Sequence, residues 1–226
     1  MPLLRLLGYK IGRNTKIGFS LIYIDSFTLL DNAKIGHLNL ILNKSLILKK
    51  DVYIGYLNIF KGPFDVILKE KAAIGNKNYM TRARKGVSYG ESCLTLGRLT
   101  KVTVGHHLDL TKSITFGDNS ILAGIKSQMW THGYYHANEG PYRIRIDGEI
   151  KIGNNVYVGS ACIFNPGVKV NDAIHIGAGS VISKDLTEKG MYVSQGLRFI
   201  KNDINTIKEK LHKVEDKNLV EQVYYK

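Results

Sequence analysis

The chain has 226 residues, 44% of them apolar, with 32 Lys and Arg against 19 Asp and Glu for a net charge of +13. That is ample material for one large core, while no stretch reaches the ~18 apolar residues needed to cross a bilayer. The two cysteines, Cys93 and Cys162, lie outside any metal-ligand spacing, which excludes a disulfide framework and fits a reducing compartment.

The positive charge calls for an anionic surface or ligand. Its basic residues are scattered, no zinc-finger or RRM-like motif occurs and the tyrosines form no stacking cluster, so nucleic acid is not expected. A phosphate-bearing cofactor, a diphospho-linked substrate or peripheral contact with an anionic membrane surface meets the same charge. The opening MPLLRLLGYKIG holds an apolar run broken by Arg5, shorter than a signal-peptide core, and points to a cytoplasmic protein.

From Ile11 onward the apolar residues recur every six positions: Ile11, Ile17, Tyr23, Leu29, Ile35, Ile41 and Ile47. A period of six fits neither the 3.6-residue helix repeat nor a two-sided sheet. It fits a parallel β-helix, in which each hexapeptide is a short strand and a turn, and stacked coils bury one apolar column. The register slips near Lys50 and Asp51, resumes at Ile54, Phe60 and Val66, and slips again before Ile74 and Met80. Such slips mark loops bulging from a corner.

The ladder is lost over Arg82 to Cys93, an expected exposed loop, and returns with Val104, Leu110, Phe116 and Leu122. The longest interruption, about 126–145, reads KSQMWTHGYYHANEGPYRIR and carries the only tryptophan, Trp130. A rigid stack that throws out one aromatic loop usually builds a site on it.

The densest repeat follows: Ile146, Ile152, Val158, Phe164, Val170, Ile176 and Ile182 hold the six-residue step without a miss. A second set, Ile150, Val156, Cys162, Val168, Ile174 and Ser180, is apolar or small, so Cys162 reads as a buried hydrophobe. Residues 1–198 therefore form one β-helix domain. Residues 199–226 place Ile204, Ile207, Leu211 and Val214 at helical spacing, an expected amphipathic helix that caps the open end of the stack.

The run IKIGNNVYVGSACIFNPGVKVNDAIHIGAGSVISKD, with the upstream Trp130-Thr131-His132, resembles the hexapeptide-repeat acyltransferases, in the branch of galactoside, maltose, xenobiotic and polysaccharide acetyltransferases. The resemblance implies a left-handed parallel β-helix, a homotrimer with sites between subunits, acetyl-CoA as co-substrate and no metal. It places the catalytic base at His132, at the start of the inserted loop. Imidazole chemistry supports this, because one group must take a hydroxyl proton and return it to a thiolate at neutral pH. Asp109 or Glu139 would orient that ring.

By the same resemblance, the Ser160 backbone amide serves the oxyanion, while Tyr157, Ala178, Gly179 and Lys184 contact the cofactor. Trp130, Tyr134, His136 and Asp109 are assigned to the acceptor, a sugar or surface-polysaccharide precursor receiving the acetyl group on a hydroxyl or an amine. The chain reads SQGLRFI where relatives carry a Pro-Ala pair, which leaves the adenine end unassigned. Two other readings are carried forward. One is a γ-class carbonic anhydrase with zinc on His106, His107, His132 or His136; the other is a β-helix scaffold that binds an anionic polymer without catalysis.

Overall fold

The computed structural model describes residues 6, 8–136, 141, 143–194, 198–200, 209, 212–213 and 224–225. Among them there is almost no helix, and none long and apolar enough to cross a membrane. The short strands stack in parallel register into the left-handed β-helix of about nine turns expected from the sixfold repeat.

Each coil contributes one rung to each of three faces. The first face is a ten-stranded sheet running from Lys16–Ile17 through Lys34–Ile35, Tyr53–Ile54 and onward to Gly190–Val193, with Arg198–Ile200 as its last strand. The second carries Tyr79–Thr81, His107–Asp109, Gln128–Met129, Ile163–Phe164 and Val181–Ile182. The third carries Cys93–Leu96, Ile114–Phe116, Ile150–Ile152 and Lys169–Val170. The second and third faces form one sheet because Leu40–Leu48 and Ile59–Leu68 run unbroken around the corner between them.

The inward residue of every rung builds the core. Ile54, Ile74, Val102, Leu122, Val158 and Ile176 line the first face, with Phe60, Met80, Leu108, Met129, Phe164 and Ile182 on the second. All are buried, each contributing about 1.5–3 kcal/mol by removal from water. Cys162 is buried in the same column, as expected, and burial pushes its thiol pKa up, which makes it unreactive.

The ladder fails at four expected positions. Tyr23 is 82% exposed, and the inward residue there is Ile22; the coil takes a short step and then a long one and regains phase at Leu29. Ile47 is half-buried between the fully buried Leu46 and Leu48, because this coil holds one extra residue. Val104 lies past a register shift after Val102 and faces outward. Ile146 is 52% exposed because it belongs to an inserted hairpin, not to a rung.

The corner between the third and first faces turns through left-handed backbone at Asn14, Asn32, Asp51, Asn119 and Asn155. Asn and Asp tolerate that region better than other residues with a β-carbon. The corner between the first and second faces also turns through left-handed backbone, at Leu38, Leu57, Lys77, Lys126 and Ala161, and carries in addition a polar ladder inside the wall. Asn39 Oδ1 accepts from Asn58 N and Nδ2 at 2.9 and 3.0 Å, and Asn58 Oδ1 accepts from Asn78 N and Nδ2 at 2.9 and 3.1 Å. Asn78 Oδ1 accepts from His106 N at 3.0 Å. His106 Nδ1 accepts from Ser127 N at 3.1 Å, and Ser127 Oγ donates to Gly159 O at 3.1 Å. Buried backbone groups at this corner are thereby satisfied coil after coil.

His106 must be neutral in that ladder, since Nδ1 accepts while Nε2 faces Thr103 Oγ1 at 3.0 Å. Burial lowers its pKa to about 4. The folded pKa is below the unfolded value of about 6.5, so stability is full above pH 6.5 and is lost as pH falls toward 4, by roughly 3 kcal/mol in all. Urea unfolding midpoints at pH 7 and pH 4.5 should show this loss. His106→Asn, which keeps an acceptor for Ser127, should remove most of its contribution; an unchanged pH slope in that variant would contradict the assignment.

At the C-terminal end the expected helix falls mostly outside the described residues. Of the described residues there, Arg198–Ile200 pairs antiparallel with Gly190–Val193, His212–Lys213 pairs antiparallel with Tyr224–Tyr225, and Glu209 is helical. The helix therefore does not begin at Phe199, whose ring packs edge-on against Tyr192 at 5.9 Å.

Candidate active site

Two loops leave the corner between the second and third faces. The first spans residues 82–92 and is tied down by Arg82, which is 8% exposed. Its guanidinium donates to the carbonyls of Pro63, Tyr89 and Gly90 at 2.6, 3.0 and 2.6 Å. The second is an antiparallel hairpin of His132–His136 with Arg143–Asp147. The insertion expected over about 126–145 thus starts later and ends later, because Gln128 and Met129 remain in a regular rung between His107–Leu108 and Ile163–Phe164.

His132 opens the hairpin, and its ring is held from the rung below. His132 Nδ1 lies 2.8 Å from Oδ2 of Asp109, whose side chain is 6% exposed against 29% for His132. Asp109 is the outward residue two places after His107 on the second face, and the following turn places four further donors on it. Thr131 N and Oγ1 reach Oδ2 at 3.0 and 2.8 Å, and Thr111 N and Oγ1 reach Oδ1 at 3.2 and 2.8 Å. A carboxylate accepts only, so Nδ1 is the donor and Nε2 is left as the acceptor. Of the two carboxylates expected to orient His132, Asp109 fills the role; Glu139 lies outside the described residues. Asp109, which the resemblance also places at the acceptor, is buried beneath Thr111, Thr131 and His132.

The hairpin itself is braced. Asp147 stands opposite His132 and receives Arg145 Nε and Nη2 at 2.7 and 2.9 Å, while Arg145 Nη1 donates to Val87 O of the first loop. Thr111, Thr131, Arg145 and Asp147 carried no signal in the sequence beyond their closeness to Asp109 and His132. Trp130 Nε1 donates to Gln128 Oε1 at 2.9 Å, and the indole stands edge-to-face with His132 at 6.2 Å. Tyr134 stands on the other side of His132 at 6.0 Å and is 49% exposed. His136 lies in the hairpin opposite Arg143, with its side chain outside the described part.

The residues assigned to the cofactor lie elsewhere. Ser160 sits at the corner between the first and second faces, where its carbonyl accepts from Gly179 N at 2.8 Å on the next coil. Its hydroxyl packs so closely under Gly124 that a β-carbon there would collide with it, and Gly124 also has a φ of +66. Ala178 precedes Gly179 at the same corner, and the space around Gly179 is open. Tyr157 stacks on His175 at 4.4 Å with 26° between ring planes. Lys184 does not join this group. It follows Val181–Ile182 and sits, exposed, at the corner that bears His132.

Tyr157, Ser160, Ala178 and Gly179 therefore cluster at one edge of the second face, and His132 stands at the other. Among the described residues no group of three His, Cys, Asp or Glu side chains is arranged to hold a metal ion. His106, one of the imidazoles considered for zinc, is committed to the wall ladder.

No family model matches the chain. The galactoside O-acetyltransferase of Escherichia coli K12 is 31% identical over 126 residues, covering 53% of this chain and 59% of that protein. The chloramphenicol acetyltransferase of Morganella morganii is 26% identical over 149 residues, covering 57% and 69%. The chain thus spans about three fifths of the length of the galactoside O-acetyltransferase it matches. Among solved structures, the polySia specific acetyltransferase NeuO superposes with a TM-score of 0.51 at 20% identity, covering 85% of this chain and 86% of that one. The polysialic acid O-acetyltransferase OatWY gives 0.52 at 16% identity, covering 85% and 87%. These two share the fold.

Proposed function

We propose that this chain, related in sequence to the hexapeptide-repeat acetyltransferases, is an acetyl-CoA-dependent acetyltransferase that moves the acetyl group directly onto a sugar hydroxyl. The observation that carries the reading is the His132 ring, fixed at Nδ1 by the buried Asp109 with Nε2 free to accept. That is the arrangement of a general base with a defined tautomer. Its relatives named as galactoside and chloramphenicol acetyltransferases support the reaction class.

The step balances on groups of the chain. His132 Nε2 takes the proton of the acceptor O–H as its oxygen bonds to the thioester carbon. The oxyanion meets the Ser160 N–H, then the C–S bond breaks and Nε2 returns the proton to the sulfur. Small residues at Ser160, Ala178 and Gly179 leave backbone open for an extended pantetheine, and Tyr157 supplies an aromatic wall. The base and this donor edge lie on opposite sides of the second face, so a second copy of the chain, in a homotrimer, brings His132 of one to Ser160 of another.

Calorimetric titration with CoA tests the donor half, and thiol release from acetyl-CoA against a panel of sugars and nucleotide sugars tests the reaction. Saturable CoA binding that weakens at least about tenfold in Ala178→Trp is expected. Absence of CoA binding would contradict the reading.

A further inference from the structure

The reaction uses one edge of a larger feature. Five rings form an unbroken row over the second face and its hairpin. Tyr79 meets His107 at 5.1 Å, His107 meets Trp130 at 4.7 Å, Trp130 meets His132 at 6.2 Å, and His132 meets Tyr134 at 6.0 Å. Every contact is edge-to-face, with interplanar angles between 62° and 88°.

Register builds the row. Tyr79 pairs with His107 and His107 with Gln128, so three successive coils, about 4.8 Å apart, aim one side chain each outward in a column. Gln128 then leans the indole of Trp130 over His107 by its hydrogen bond to Nε1. Tyr79 is 41% exposed. Burial lowers the pKa of His107, which keeps its imidazole neutral at neutral pH. The proton transfer proposed for His132 does not call on Tyr79 or His107, yet they continue the row away from His132 for two coils. A partly exposed line of flat rings is costly to leave in water and suits the apolar faces of sugars.

We propose that Tyr79, His107 and Trp130 form a platform for an extended glycan. The acceptor is then an oligosaccharide or polysaccharide chain, with its reacting sugar at His132 and further sugars laid down the row. Only the identity of the reacting end rests on the acetyltransferase reading; the platform is a binding site in its own right. Tyr134 pairs across the hairpin with Arg145, which lines a cleft of about 770 Å³ together with Arg82, Lys85, Tyr89 and Glu91. Arg145 is held by Asp147 there, whereas Lys85 is exposed to a passing carboxylate. Neutral and acidic glycans both fit the rings.

Trp130 is the only tryptophan, so its fluorescence reports on the row without any reaction. The full chain is titrated with maltose through maltohexaose and with galacturonic acid through its hexamer. In at least one series the dissociation constant should fall by about tenfold or more from the shortest member to the tetramer and then level off. Tyr79→Ala should abolish that gain while leaving the shortest member within about twofold, and Tyr79→Phe should preserve it. Affinity independent of length, or no binding in either series, overturns the platform. So does a Tyr79→Ala variant that changes the oligomeric mass by light scattering and leaves the length dependence intact, since the row is then a subunit contact. Length-dependent binding with no acetyl transfer to any glycan overturns the proposed reaction and leaves the platform standing.

Discussion

Replacing His132 with alanine lowers kcat for acetyl transfer by about 10²–10⁴-fold, the range that loss of a positioned general base covers. The Michaelis constant for acetyl-CoA stays close to that of the wild type, because the residues proposed to hold the donor lie at the other edge of the second face. The fold survives the change: His132 heads a surface hairpin, and the Thr111 and Thr131 donors continue to satisfy Asp109. Stopped assays of thiol release with the acceptor at saturation separate the two constants. A variant within about threefold of wild type in kcat would remove His132 from the chemistry.

The second large effect is at Asp109. Asp109→Asn keeps the shape of the side chain but turns one acceptor end into a donor. Oδ2 receives Thr131 N, Thr131 Oγ1 and His132 Nδ1, while Oδ1 receives Thr111 N and Oγ1. Whichever way the amide turns, a donor faces a donor in a buried pocket, at a stability cost of about 1–3 kcal/mol. The Nδ1–H tautomer of His132 is no longer enforced, and kcat falls by about 10²–10⁴-fold with little change in the Michaelis constant for acetyl-CoA. Nitrogen chemical shifts of the His132 ring are the signature of a positioning role, since they report the tautomer directly. Lower stability with unchanged ring shifts and unchanged kcat would make Asp109 merely structural.

The fold was legible because a period of six has few physical solutions, and the inward residues return to phase after each loop or extra residue. Tyr23 and Val104 show the limit. A short step followed by a long one keeps the coil in phase, and a register shift after Val102 turns the next residue outward; neither leaves a trace in spacing alone. The wall ladder of Asn39, Asn58, Asn78 and His106 was not legible, because its repeat is interrupted by loops of different length and its chemistry changes from amide to imidazole. At the site, His132 was singled out by the resemblance of its loop to that of the hexapeptide-repeat acyltransferases, and the structure places it beside Asp109. Asp109 and Glu139 were equivalent in sequence, and only the stacking of coils brings Asp109 under the ring. Phe199 and Ile200 opened the segment expected to be helical from Ile204, Ile207, Leu211 and Val214, but in the structure they pair with Tyr192 and Met191 as an antiparallel strand.

In the proposed reaction, His132 of one copy acts on a thioester held at the Ser160 corner of another. The structure of the CoA complex measures this without knowledge of the acceptor. The CoA sulfur should lie along the corner of Tyr157, Ser160, Ala178 and Gly179. A sugar oxygen placed between that sulfur and His132 Nε2 should lie about 3–3.5 Å from the site of the carbonyl carbon. A CoA bound away from that corner, or with its sulfur too far from every His132 Nε2 in the assembly for one acceptor oxygen to reach both, would contradict the account.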